Sequence, residues 1–212
     1  WAALVFPEFE DVDAAVEELW ERILSCVHVR EDNDPIEEWT ELNESFQKRV
    51  KILNDHNFKE LHFTNSLGTD LHVGLVKGHI WAGGNDVTIE TNIPFNPNMP
   101  TEEIFTTPSR SGVYGKVVAS KPLDYNGTLV KDFWLTFEDG VVKDFDAKEG
   151  KDALASLVHF DEGSNRLGEV ALVPYESPIS QSGILFYNTL FDENASCHLA
   201  LGSAYPGNIE HG

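Results

Sequence analysis

Cysteine is scarce in this sequence. Cys26 and Cys197 are the two among 212 residues, which excludes a disulfide framework and points to a reducing compartment, by default the cytoplasm. Positive charge is scarce too: 15 Lys and Arg stand against 36 Asp and Glu, a formal net charge of −21. Such a surface repels nucleic acid and anionic membranes, so neither is an expected partner. No apolar run approaches the roughly 20 residues of a bilayer span, and no basic stretch leading into an apolar one marks a signal peptide. A soluble protein is expected. Common catalytic signatures are missing as well. His28, His56, His62, His72, His79, His159 and His211 show no HExxH or HxH spacing, and are expected to be structural or exposed. There is no GxSxG nucleophile elbow, and Gly83-Gly84 lacks the Lys and Ser/Thr of a phosphate loop.

What is present is ample core material. A chain with 41% hydrophobic and 24% charged residues suits one large or two small globular domains. Over 11–29, Ala15, Val16, Leu19, Trp20, Ile23 and Val27 recur at helical spacing, with Glu17, Glu18 and Glu21 on the other face. Asp34-Pro35 then supplies an N-cap and a first helical residue, and Trp39, Leu42, Phe46, Val50 and Leu53 predict a second amphipathic helix ending near Asn54. Trp1 to Phe6 reads as a strand entered from upstream. After Asn57 the pattern shortens to alternating segments at 61–63, 71–75 and 113–119. Asn126-Gly127 and Asp139-Gly140 bracket Thr128 to Glu138, predicting a meander with tight type I′ turns. A helix is expected over 148–159 and a strand over 169–173, whereas 177–201 has no assignable period.

Chemistry is suggested where acidic residues or histidines sit among apolar, Gly or Pro neighbours. Glu102 and Glu103 lie in a segment framed by Pro100 and Pro108. Either Thr101 caps a short helical turn whose positive end both carboxylates favour, or one of them has a chemical role. Glu169 stands at the mouth of an otherwise apolar strand, where an unpaired carboxylate would be costly. Its partner is either a cation, for example Arg166, or a metal. His198 sits in an apolar run five residues after Glu193; a lone histidine there is more often a satisfied core residue than a ligand. Glutamates plus a histidine drawn from scattered segments suit a divalent ion such as Zn²⁺, Mn²⁺ or Co²⁺. A glycosidase using Glu103 and Glu169 as its acid and nucleophile would leave Glu193 and His198 without a role.

Three longer stretches carry a resemblance. NxPTEEIFTTP at 98–108, LGEVALVPYESPIS at 167–180 and LFYNTLFDENASCHLALGSAYP at 185–206 resemble, in order and spacing, the aminopeptidase T (leucyl aminopeptidase, thermophilic metallopeptidase) family. Trp81-Ala82-Gly83-Gly84 and Pro94-Phe95-Asn96-Pro97-Asn98 are similar to it too. The resemblance implies that Glu103, Glu169, Glu193 and His198 ligate a dinuclear site of two divalent ions (Zn, Co or Mn). It also implies that Tyr205 is the active-site tyrosine. Glu102 is the alternative first ligand or a proton shuttle, although adjacent extended residues point oppositely. The implied activity is that of a cytoplasmic, homodimeric metalloaminopeptidase removing N-terminal residues from peptides with a free N-terminus, through a metal-activated water.

The sequence departs from the family pattern at both ends. Members continue into a His-x-Asp pair that completes the metal site, whereas this chain ends Glu210-His211-Gly212, and His211 has no Asp after it. An upstream α/β domain is likewise expected before Trp1. The chain is therefore expected to be a fragment: a helical segment over 1–57, connecting to a missing upstream domain, and a metal-binding catalytic domain over 58–212, truncated at its C-terminus. The rival expectation is an inactive metal-binding or interaction module. The fold class expected is α+β, with N-terminal amphipathic helices followed by a largely antiparallel mixed β-sheet carrying the metal site.

Overall fold

A computed structural model of the chain describes residues 1–210; His211 lies outside the described residues. In chain order the elements begin with helices α1 Ala2–Val5, α2 Val12–Cys26 and α3 Pro35–His56. Strands β1 Glu60–Thr64 and β2 Asp70–Leu75 come next, then the short β3 Ala82–Gly83, β4 Asp86–Val87, β5 Pro94–Phe95 and β6 Ile104–Thr106. The long meander is β7 Pro108–Val118, β8 Leu123–Tyr125, β9 Thr128–Glu138 and β10 Val141–Glu149. Helix α4 Lys151–Val158 leads into β11 Leu167–Leu172, the short helices α5 Pro178–Ser182 and α6 Thr189–Glu193, and β12 His198–Leu201. Among the described residues, no helix is long and apolar enough to cross a membrane.

Local chemistry accounts for the helix starts. The Asp11 carboxylate accepts the Asp13 N–H at 3.0 Å ahead of α2, and Asp34 Oδ1 accepts the N–H groups of Ile36 and Glu37 at 2.9 and 3.3 Å ahead of α3. The expected strand at Trp1 to Phe6 is instead α1. A short apolar run carries too little period to separate strand from helix, and here the N–H groups of Leu4 and Val5 close onto the Trp1 carbonyl. Phe6, which precedes Pro7, leaves the helix at φ −124°, ψ 68°.

The chain divides into two compact units. The first comprises residues 1–50, 83–104 and 173–197. Its core gathers Ala2, Phe6, Ala15, Leu19 and Cys26 with Ile179, Phe186, Phe191 and Ala195. The Phe186 and Phe191 rings lie 4.7 Å apart, and Trp39 Nε1 donates to the Val27 carbonyl at 2.8 Å.

The second unit comprises residues 51–82, 105–172 and those from His198 on. Its larger sheet runs β1-β2-β7-β9-β10 with β8 added to β9, every pair antiparallel. Along β2, Leu71, Val73 and Leu75 are buried while Asp70, His72 and Gly74 turn the other way, the alternation of a sheet with one face on the core. Both expected hairpins form. Asn126 and Gly127 have φ of 52° and 78°, and Asp139 and Gly140 have 51° and 74°, the paired positive values of type I′ turns. Helix α4 packs on β9 and β10 through the buried Leu154 and Val158. A smaller sheet has the order β12-β11-β6-β3. The fold is α+β with antiparallel sheets, as the patterning predicts.

Candidate metal centre

In the second unit, β11 and β12 pair antiparallel, with Glu169 opposite Ala200 and Ala171 opposite His198. Directly opposed residues share a face, and so do residues two apart on one strand. Glu169 and His198 are therefore diagonal neighbours on one side of the sheet, flanked by the small side chains of Ala171 and Ala200. Their groups approach to 3.9 Å between His198 Nε2 and Glu169 Oε1, with side chains only 13% and 17% exposed. That distance exceeds a hydrogen bond. It falls within the ~4.2 Å that one Zn–N and one Zn–O bond span end to end.

A bulge sets this geometry. The register shifts between Leu167 and Glu169, and a Cβ on the intervening Gly168 would lie 2.4 Å from the Ser203 carbonyl oxygen and 2.5 Å from that of Gly202. Only glycine admits that approach, and the extra residue decides which face Glu169 occupies. Arg166, one candidate cation for Glu169, donates through Nη1 to the carbonyls of Arg110 at 2.7 Å and Asp139 at 3.2 Å. Tyr205 is 65% exposed, with its ring tilted over Phe105 at 5.9 Å. Its loop is anchored by the buried Asn208, which donates through Nδ2 to the carbonyls of Ile80 and Phe105 at 3.0 and 3.3 Å and through its N–H to the Tyr205 carbonyl at 3.2 Å.

In the first unit, the Glu102-Glu103 segment forms no helical turn capped by Thr101 and leads directly into β6. Its backbone lies against Gly83, where a Cβ would meet the Glu103 carbonyl oxygen at 2.4 Å. Glu102 is buried, and its Oε1 is 2.8 Å from His28 Nε2. Its N–H donates to Asn194 Oδ1 at 3.3 Å. Asn194, fully buried, also donates through Nδ2 to the Leu190 carbonyl at 3.0 Å. The half-buried Glu193 is the last residue of α6, immediately before it. Asp192 helps to shape the turn into α6, accepting the N–H groups of Phe186 at 2.7 Å and Asn188 at 3.0 Å. One asparagine thus ties the segment of Glu102 and Glu103 to that of Glu193.

His28, expected from the sequence only as a structural or exposed residue, and Asn194 and Asn208, which carry no signal there, hold these segments. His28 is held at φ 57°, packs edge-on to Trp39 at 5.7 Å, and has its Nδ1 3.5 Å from Glu38 Oε2. Burial pushes the Glu38 carboxyl up, but the hydrogen bonds from Arg30 and Asn33 outweigh it and leave the group below its ordinary value. Nearby, burial first and the Glu102 charge second push the Cys26 thiol up to about 11. Of the other histidines, His79 Nδ1 contacts the Val76 carbonyl at 3.0 Å and His56 stacks on Phe58 at 5.3 Å, as structural residues would.

The family described as Thermophilic metalloprotease (M29) matches residues 1–212. Aminopeptidase 2 of Geobacillus stearothermophilus is 49% identical over 212 residues, which are 100% of this chain and 50% of that protein. Aminopeptidase AmpS of Bacillus subtilis (strain 168) is 50% identical over 212 residues, 51% of its length. Among solved structures, wild-type AmpT from Thermus thermophilus superimposes with a TM-score of 0.91 at 45% identity, over 99% of this chain and 50% of that one. The chain spans about half the length of the relatives it matches.

Proposed function

The chain belongs to the thermophilic metalloprotease family (M29), and we propose that it supplies the metal-binding catalytic part of a cytoplasmic aminopeptidase acting on peptides with a free N-terminus. The observation that carries this reading is the diagonal pair of Glu169 and His198, a carboxylate and an imidazole 3.9 Å apart on neighbouring strands. The resemblance adds Glu103 and Glu193 as further ligands of the proposed site. Three carboxylates and one imidazole would suit Zn²⁺, Co²⁺ or Mn²⁺. The relatives named aminopeptidases support the substrate class.

Divalent ions bound there would supply an activated water and polarise the scissile carbonyl. The chain's own residues do the rest. The Tyr205 hydroxyl, on a ring seated against Phe105, donates to the developing oxyanion, a contact worth about 3–4 kcal/mol in hydrolases. Glu102 is assigned the proton shuttle to the leaving amine, with His28 Nε2 as its partner at 2.8 Å. Carboxylates around the ions attract the free α-amine of the peptide, which gives exopeptidase selectivity. A homodimer is part of the reading, by resemblance to the family. The net charge of −21 argues against nucleic acid and anionic membrane as partners.

Hydrolysis of leucyl-p-nitroanilide by the full-length protein carrying this chain, after chelation and with Co²⁺ restored, tests the proposal. Metal-stimulated release that Glu169→Gln and His198→Ala abolish is expected. No metal-stimulated release would overturn the peptidase reading and favour an inactive metal-binding module. Activity undiminished in chelator would sink both.

A further inference from the structure

A second group of potential ligands shares no residue with the candidate metal centre. Strands β1, β2 and β7 place His62 directly opposite His72, and His72 opposite Tyr114. The three rings stack: His62 on His72 at 4.0 Å and 12°, and His72 on Tyr114 at 4.6 Å and 5°. Asp70, two residues from His72 and so on the same face, brings Oδ1 to 2.7 Å from His62 Nε2. Glu60 accepts from His72 Nδ1 at 2.7 Å and from the Tyr114 hydroxyl at 3.3 Å. One ligand atom from each of His62, Asp70 and His72 lies within 4.8 Å of the others.

We propose that His62, Asp70 and His72 form a surface site for a borderline divalent transition ion of the Zn²⁺, Ni²⁺ or Cu²⁺ class. Two imidazoles and one carboxylate match the ligand preferences of those ions and disfavour the oxygen-seeking Ca²⁺ and Mg²⁺. The ion takes the place of the proton held between His62 Nε2 and Asp70 Oδ1. The Glu60 carboxylate fixes the proton of His72 on Nδ1, which leaves the Nε2 lone pair for the ion and orients the ring, the usual service of a carboxylate behind a metal-bound histidine. The hydrogen bond from His72 is the main reason the Glu60 carboxyl lies below its ordinary value, against a smaller opposing effect of burial. The side chains of His62 and Asp70 are 48% and 75% exposed, so an ion enters from solvent. All three ligands stand on paired strands, which hold them more rigidly than a loop would.

The test titrates the 212-residue chain carrying Glu169→Gln and His198→Ala, which disable the centre proposed above, with Ni²⁺ alone by calorimetry. Cu²⁺ broadening of amide resonances maps where an ion sits. One bound equivalent is expected, lost on adding His62→Ala and His72→Ala, with broadening centred on His62, Asp70 and His72 and reaching the adjoining residues of β7 around Tyr114. Binding unaffected by those two changes, broadening elsewhere, or no binding at all overturns the proposal. His62→Gln, on an exposed side chain, guards against misfolding: it should abolish binding while leaving the circular dichroism unchanged.

Discussion

The backbone N–H of Glu102 donates to the Asn194 side chain across 92 residues of sequence, at 3.3 Å. Asn194 has no exposed surface, and its other arm reaches the Leu190 carbonyl. Asn194→Leu keeps the volume and leaves both backbone groups without that partner, each buried unsatisfied group costing about 1–3 kcal/mol. The midpoint of urea unfolding should fall accordingly. The segments of Glu103 and Glu193 also lose their tie, so metal affinity measured by calorimetry should drop too. A variant that is destabilised yet binds metal as tightly as the parent would show that Asn194 only holds the fold.

Gly168 gives a second prediction, because its missing side chain is what lets Glu169 and His198 share a face. In Gly168→Ala the Cβ would lie 2.4 Å from the Ser203 carbonyl oxygen, so β11 or β12 must shift. Overpacking of this kind costs about 1–3 kcal/mol. The thermal midpoint should fall, and metal affinity should fall with it as the Glu169 carboxylate moves off the His198 imidazole. Unchanged metal affinity would count against the assigned ligand pair.

The two thiols should behave differently. Cys26 is buried, and its thiol is raised from 9.0 to about 11, by burial first and then by the Glu102 charge. Cys197 is exposed. With a disulfide exchange reagent at pH 8, Cys197 should react in a fast phase and Cys26 only as the fold opens, since the thiolate is the nucleophile. The folded value lies above the unfolded one. The contribution of Cys26 to stability is therefore fully present below pH 9 and is lost as pH rises through about 11. Two equally fast phases at pH 8 would contradict the burial of Cys26.

These tests draw on features that differ in how openly the sequence displays them. The hairpins at Asn126-Gly127 and Asp139-Gly140 are legible because their dipeptides tolerate the positive φ that a type I′ turn demands. Helices α2 and α3 are legible because several turns of period and a capping Asp agree. Helices α5 and α6 have five residues each, little more than one turn, and no period can register in that length. Glu169 and His198 stand out as charged or titratable residues within apolar runs. The partners that hold Glu102 do not: His28 meets it over 74 residues of sequence and Asn194 over 92. Their roles arise only when the tertiary fold brings distant segments together.

Tyr205 offers the sharpest separation of chemistry from structure. Its ring rests on Phe105 while the residue remains 65% exposed, so Tyr205→Phe removes the hydroxyl and keeps the ring contact. Stability should be unchanged, since no buried partner is stranded. In the full-length protein, loss of a donor to the oxyanion should lower kcat by about 100- to 1000-fold, with KM for leucyl-p-nitroanilide little altered, because that bond strengthens only in the transition state. A variant whose KM rises while kcat holds would place Tyr205 in ground-state binding of the peptide. One with both constants unchanged would remove it from the site.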